Sequence, residues 1–165
     1  MKKGSRFLGI DDAPLEKEKI VGVLYRGTEF IEQLETLEVE KDSGEGTNQV
    51  LELYNKFNSY IEAVLVDGIS FAGFNVIDIE FLSKITGKPF IAVTGNRPDR
   101  KKFSEAMEKL GLSFDMEKLP EVHEVELSTG RCFIQFSGCS LEEAEDVLEA
   151  STIQGNIPEC IRQQI

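Results

Sequence analysis

Hydrophobic positions at the start of the chain fall in strand rhythm. Arg6–Ile10 is a short, mostly apolar run that meets Asp11-Asp12, with Pro14 expected to close it, as a buried strand would. Lys19–Arg26 (K-I-V-G-V-L-Y-R) reads as a second strand. Phe30–Val39 alternates Phe30, Leu34, Leu37 and Val39 with polar residues, as a third. Only Arg26-Gly27-Thr28 are available to join the last two. The three strands are expected to be antiparallel, because parallel neighbours need a crossover of roughly a dozen residues. Strand alternation sends Asp11 and Asp12 to opposite faces.

The rhythm then changes. D-S-G-E-G at Asp42–Gly46 is a loop, Thr47 or Asn48 is placed to cap a helix, and Val50, Leu51, Tyr54, Phe57 and Ile61 have helical spacing. Ala63–Val66 is a buried strand ending in Asp67-Gly68. A helix is expected to start near Asn75, where Asn75 and Asp78 have nearly the spacing of a capping box, and to run through Lys84 to Gly87. Pro89–Val93 is a further strand ending in Thr94-Gly95. Arg100–Leu110 is an amphipathic helix carrying Phe103, Ala106, Met107 and Leu110 on one face, stopped by Gly111. Val122–Leu127 and Arg131–Phe136 flank S-T-G as a hairpin. Ser140 with Glu143 forms a capping box for a helix to about Ala150, and the tail from Thr152 gives a turn and a short terminal helix.

The order β-β-β-α-β-α-β-α, then a hairpin and a helix, is an α/β pattern. An antiparallel meander leading into parallel strands is the ribonuclease-H-like plan, whereas a doubly wound sheet would alternate from the start. In that plan the first and fourth strands are parallel neighbours, about 5 Å apart. Asp11 and Asp67 would then stand side by side at one sheet edge, able to hold one Mg²⁺ between them. Asp67-Gly68 also reads as a plain turn, and Asp12 as turn stabilisation or support behind the pair.

Composition sets limits on partners. With 165 residues at 41% hydrophobic, one domain spanning 1–165 with a full core is expected. No apolar run approaches the roughly 20 residues of a membrane span, and no signal-peptide core follows M-K-K-G-S-R; a cytoplasmic location without membrane attachment is expected. Cys132, Cys139 and Cys160 form no C-x-x-C pair and His123 is the sole histidine, so reduced thiols fit better than a structural zinc site. A net charge of −12 opposes non-specific binding to phosphate backbones. A carboxylate cluster that binds divalent cations would offset this locally.

Four blocks resemble the archaeal DUF99 family, also called endonuclease dU and related to endonuclease V: G-I-D-D-A-P at Gly9–Pro14, V-D-G-I-S-F-A-G-F-N-V-I-D at Val66–Asp78, T-G-K-P-F-I-A-V at Thr86–Val93 and T-I-Q-G-N-I-P-E at Thr152–Glu159. The resemblance implies a ribonuclease-H-like, endonuclease V-like mixed sheet and nicking of DNA near deaminated bases such as deoxyuridine, with Mg²⁺ or Mn²⁺ as cofactor. It places the metal ligands on Asp11 and Asp67. A third ligand after the third strand falls within D-S-G-E-G-T, where Asp42 and Glu45 are rivals. Nothing here resembles the P-Y-I-P wedge of endonuclease V, and Thr94-Gly95-Asn96 stands where a basic residue follows its fifth strand.

Phosphodiester hydrolysis suits such carboxylates, because Mg²⁺ is hard, prefers oxygen ligands and keeps several waters. Arg97, Arg100, Lys101 and Lys102 are the one basic concentration, able to hold phosphates or to form a solvated helix start. Phe71 or Phe74 could meet a nucleotide or pack in the core. His123 opens the hairpin as a weaker catalytic candidate. Two other functions fit parts of the pattern. A phosphoacceptor domain would use the acidic pair, Asp67 and Thr94, but needs a helix within Lys19–Val39. A catalytically silent module would keep the fold and bind nucleic acid or a partner.

Overall fold

The computed structural model describes residues 4–13, 16–71 and 74–162. Pro14, expected to close the first strand, Ala72-Gly73 of the F-A-G-F segment and the end of the terminal helix lie outside them. Strand β1 (Arg6–Ala13) pairs antiparallel with β2 (Glu16–Arg26), and β2 with β3 (Phe30–Glu38). No helix interrupts 19–39, so the segment lacks the element a phosphoacceptor domain requires. β1 runs further than its apolar residues suggest: Asp11 and Asp12 still pair across to Val21 and Ile20. Asp12 therefore belongs to the ladder and not to the turn.

After helix α1 (Gly46–Tyr54), β4 (Ala63–Asp67) lies parallel to β1, and β7 (Phe90–Thr94) parallel to β4. A two-stranded ribbon, β5 (Ser70–Phe71) with β6 (Asn75–Val76), and helix α2 (Ile79–Thr86) connect them. Helix α3 (Arg100–Lys109) and a 3₁₀ turn at Met116–Lys118 lead to the hairpin β8 (His123–Leu127) and β9 (Gly130–Ser137). β9 joins the sheet beside β7, completing seven strands in the order β3-β2-β1-β4-β7-β9-β8. Helices α4 (Leu141–Ser151), with the expected Ser140–Glu143 capping box, and α5 (Glu159–Arg162) close the chain. Among the described residues no helix is long and apolar enough to cross a membrane.

Alternation along the central strands feeds two cores. Phe7, Leu65, Ile91 and Ile134 face one side with Leu148 of α4 and Cys160 of α5. Leu8, Val64, Val66 and Phe90 face the other with Leu53 of α1 and Leu82 of α2. Strands buried on both faces read as continuous apolar runs, as Ala63–Val66 does.

Gly9 is where β1 meets α5. A Cβ built there would lie 2.2 Å from the backbone oxygen of Cys160, so only glycine lets the two backbones approach. Gly9→Ala is expected to push α5 off the sheet and cost about 2 kcal/mol, a Tm fall of about 6 °C in a thermal melt.

Two helix starts differ from the pattern. α1 begins at Gly46, whose neighbour Glu45 makes no side-chain cap, and it ends at Tyr54; Phe57 and Ile61 are buried beyond it. α2 begins at Ile79, capped by Asp78, whose carboxylate accepts the Phe81 N–H. Asn75 cannot cap it, because Asn75 is wholly buried and its amide is engaged elsewhere.

Candidate active site

The parallel register of β1 and β4 ends on the pair Ile10 and Val66. The next residues, Asp11 and Asp67, thus emerge side by side at the carboxyl ends of two central strands, the place where open α/β sheets build sites. Asp67 is exposed and Asp11 half-buried. The two carboxyl groups share a hydrogen bond, which requires one of them to hold a proton. Burial chiefly, and then the Asp67 charge, push the Asp11 carboxyl up to about 8. The Asp12 N–H, donating to Asp11 Oδ1 at 2.7 Å, works in the opposite direction.

Asp42 and Glu45 do not join this pair. Asp42, at a left-handed φ of 51°, accepts the Phe74 N–H on Oδ1 at 2.7 Å. Exposed Glu45 accepts from the Asn48 amide at 2.9 Å. Among the described residues no group of three His, Cys, Asp or Glu side chains is placed to hold a metal.

The 40–47 loop is tied instead to the ribbon beside the site. Asn75 Oδ1 accepts from Ser43 Oγ (3.1 Å) and the Gly44 N–H (3.0 Å), and its Nδ2 donates to Glu40 O (2.8 Å). The Asp78 N–H donates to Thr47 Oγ1 at 2.9 Å. Asn75→Ala removes three bonds inside the core and leaves buried groups unpaired. It is expected to cost about 3 kcal/mol in urea denaturation.

Basic residues and a cavity lie on the β7 side of the pair. A cavity of about 250 Å³ reaches from Asp67 and Thr94 to Ile69, Phe103, Met116 and Gln135. Arg100 lines both it and a wider cleft of about 680 Å³ shared with Arg97 and Glu121. The Arg100 guanidinium donates to Pro120 O, while its buried Nε has no hydrogen-bond partner among the described residues. Arg97 lies over the Phe133 ring, 4.9 Å from its centroid.

Phe74 stacks on Phe103 (centroids 5.0 Å apart) in a small cluster with Val76, Met107 and Leu119; Phe103, not Phe74, lines the cavity. Phe71 is in the core. His123 packs on Phe136 at 5.3 Å and lines no part of the cavity.

Gln135, 3% exposed, was not among the residues its sequence pattern singled out. Its one signal is a polar residue inside the apolar run F-I-Q-F. Glu159, 1% exposed at the start of α5, is a second such buried group, inside the N-I-P-E block.

Comparison with known proteins agrees with this architecture. A UPF0215 protein of Methanothermobacter thermautotrophicus is 31% identical, the match covering 98% of this chain and 85% of that one. The crystal structure of an Archaeoglobus fulgidus protein of unknown function superposes with a TM-score of 0.82 at 28% identity, covering 96% of this chain and 92% of that chain. Endonuclease V of Ciona intestinalis, in complex with a 24mer DNA containing an inosine followed by a ribo-adenosine, matches with a TM-score of 0.58 at 16% identity over 97% of this chain and 82% of that chain. That likeness establishes the ribonuclease-H-like fold expected from the strand order. The family model described as endonuclease dU, a description that points to a nuclease, matches residues 3–163, and the chain belongs to that family.

Proposed function

We propose that the protein is a divalent-metal-dependent endodeoxyribonuclease that nicks DNA near deaminated bases such as deoxyuridine, a role in DNA repair. The observation that carries this reading is the Asp11–Asp67 carboxyl pair at the ends of two parallel strands. Its donors are all oxygen, which fits Mg²⁺ or Mn²⁺. Asp11 and Asp67 now relieve their repulsion with a proton, and the same oxygens can exchange that proton for a hard cation. Mg²⁺ commonly binds through one or two carboxylates with waters and substrate phosphates, so two protein ligands suffice. When bound, the ion supplies charge neutralisation at the phosphate and a water of lowered pKa.

The chain's own residues do the positioning. Asp11 must surrender its proton before the pair can serve. Arg100 and Arg97 line the cleft that adjoins Asp67 and are placed to receive backbone phosphates despite the acidic surface. Asp42 orders the neighbouring ribbon through the Phe74 N–H. Choice of a deaminated base is supported by the family and by the inosine-containing DNA held by the structural relative.

End-labelled duplexes carrying uracil, hypoxanthine or no lesion, incubated with Mg²⁺ or Mn²⁺, test this choice. The lesion strand is expected to be cut at least about tenfold faster, since mispaired bases are cheapest to extrude. Equal cutting of all three would remove the lesion preference. A silent binding module of the same fold is the second reading, favoured by the lack of a third carboxylate beside the pair among the described residues. It would bind these duplexes and cut none.

A further inference from the structure

We infer that the cavity beside Asp67 receives a single extruded base and that Gln135 selects it by its ring N–H. The inference rests on the reading that this site acts on DNA. The cavity volume of about 250 Å³ suits one nucleoside. Its walls are the flat Phe103 ring and the apolar Ile69 and Met116, as sites that hold a flipped base require.

The Gln135 amide has one orientation. Its nitrogen donates to Pro120 O at 3.1 Å; reversed, two oxygens would face each other. Oε1 is therefore the free end, and it takes no hydrogen bond among the described residues. Gln135 lines the cavity while almost wholly buried, so this oxygen is an unpaired acceptor at a site shielded from water.

Deamination changes what a base offers to such an acceptor. Uracil and hypoxanthine carry a ring N–H next to a carbonyl. Cytosine and adenine carry a bare ring nitrogen there, whose lone pair would face Oε1. A site built around a hydrogen bond rejects a partner that leaves it unpaired more strongly than an apolar pocket rejects an extra group. Thymine and guanine also have the ring N–H; in duplex DNA firm pairing keeps them in the stack, whereas a mispaired base is released at low cost.

Single strands remove the pairing cost from the comparison. Fluorescence anisotropy would be read in EDTA at low salt, on strands of dA and dC carrying one central dU, one hypoxanthine or a further dC. The full-length wild type is expected to bind the dU and hypoxanthine strands about tenfold more tightly than the dC strand. Gln135→Leu should bring that ratio below about twofold, while leaving affinity for the dC strand within about twofold of wild type. Met116→Trp, which fills the cavity from another wall, should remove the ratio in the same way and carries the test if Gln135→Leu fails to fold. Equal binding of all strands by wild type, or a preference that survives both substitutions, overturns the inference. Nicking with Mn²⁺ on the same preparations separates the two readings. Nicking without the binding ratio removes the base pocket alone; the ratio without nicking leaves the pocket and removes the nuclease.

Discussion

Asp11→Asn is expected to make the metal-free protein more stable at pH 8, by about 2–3 kcal/mol, and to make little difference at pH 4. The sign follows from the direction of the shift. In the unfolded chain the Asp11 carboxyl ionises near the usual carboxylate value, whereas in the folded protein it holds its proton up to about 8. Below about pH 4 both states are protonated and the group costs nothing. Between about 4 and 8 the unfolded state ionises freely, so wild-type stability falls as pH rises and levels off above 8. The full shift would correspond to a larger figure, reduced here because Asp11 is only half-buried and solvent screens the pair. Asp67 and Asp12 are the charged neighbours that act on it. Asparagine keeps the size and can still hydrogen-bond Asp67, but carries no charge to bury. Urea denaturation at pH 4, 6 and 8 reads the effect. A constant difference between the two proteins across that range would contradict it. A site that weakens the protein without its cation is consistent with a functional cluster.

Much of this arrangement was legible in the sequence for simple reasons. Strand period and short connections fixed β1 to β3 as a meander, and the apolar run Ala63–Val66 could only be a strand buried on both faces. From those two facts Asp11 and Asp67 had to meet. Long-range pairing of polar side chains was not legible. Asn75 and Asp78 have the spacing of a cap, yet Asn75 is consumed by Glu40, Ser43 and Gly44, more than thirty residues away. Asp42 likewise looked like a ligand following the third strand, and its carboxylate went to the Phe74 N–H. Spacing rules describe what a residue can do locally, and a buried amide with three partners outweighs a helix cap. Gln135 escaped for the opposite reason. A polar residue in a strand carries no local signature, and its meaning arises only where β9 docks beside β7 and the cavity opens.

Asp67→Asn should have the largest effect of any single change on function. Asp67 contributes one of two carboxylates, and its loss leaves Asp11 with an uncharged neighbour. At metal a hundredfold above its dissociation constant the wild type should gain about 2.7 kcal/mol, a Tm rise of about 5–10 °C. Asp67→Asn should show none of it. The rise in wild type should grow between pH 6 and 8, because the cation must displace the Asp11 proton.

The most direct measurement is single-turnover scission of an end-labelled, uracil-containing duplex with Mn²⁺ or Mg²⁺, wild type against Asp67→Asn. The carboxylate-pair account predicts a metal-dependent cut by wild type, slowed at least about a hundredfold in the variant, the scale of removing one preorganised electrostatic group. A wild type that binds the duplex but does not cut it above the Asp67→Asn level with either metal would contradict the account, and would leave a binding module as the function of the fold.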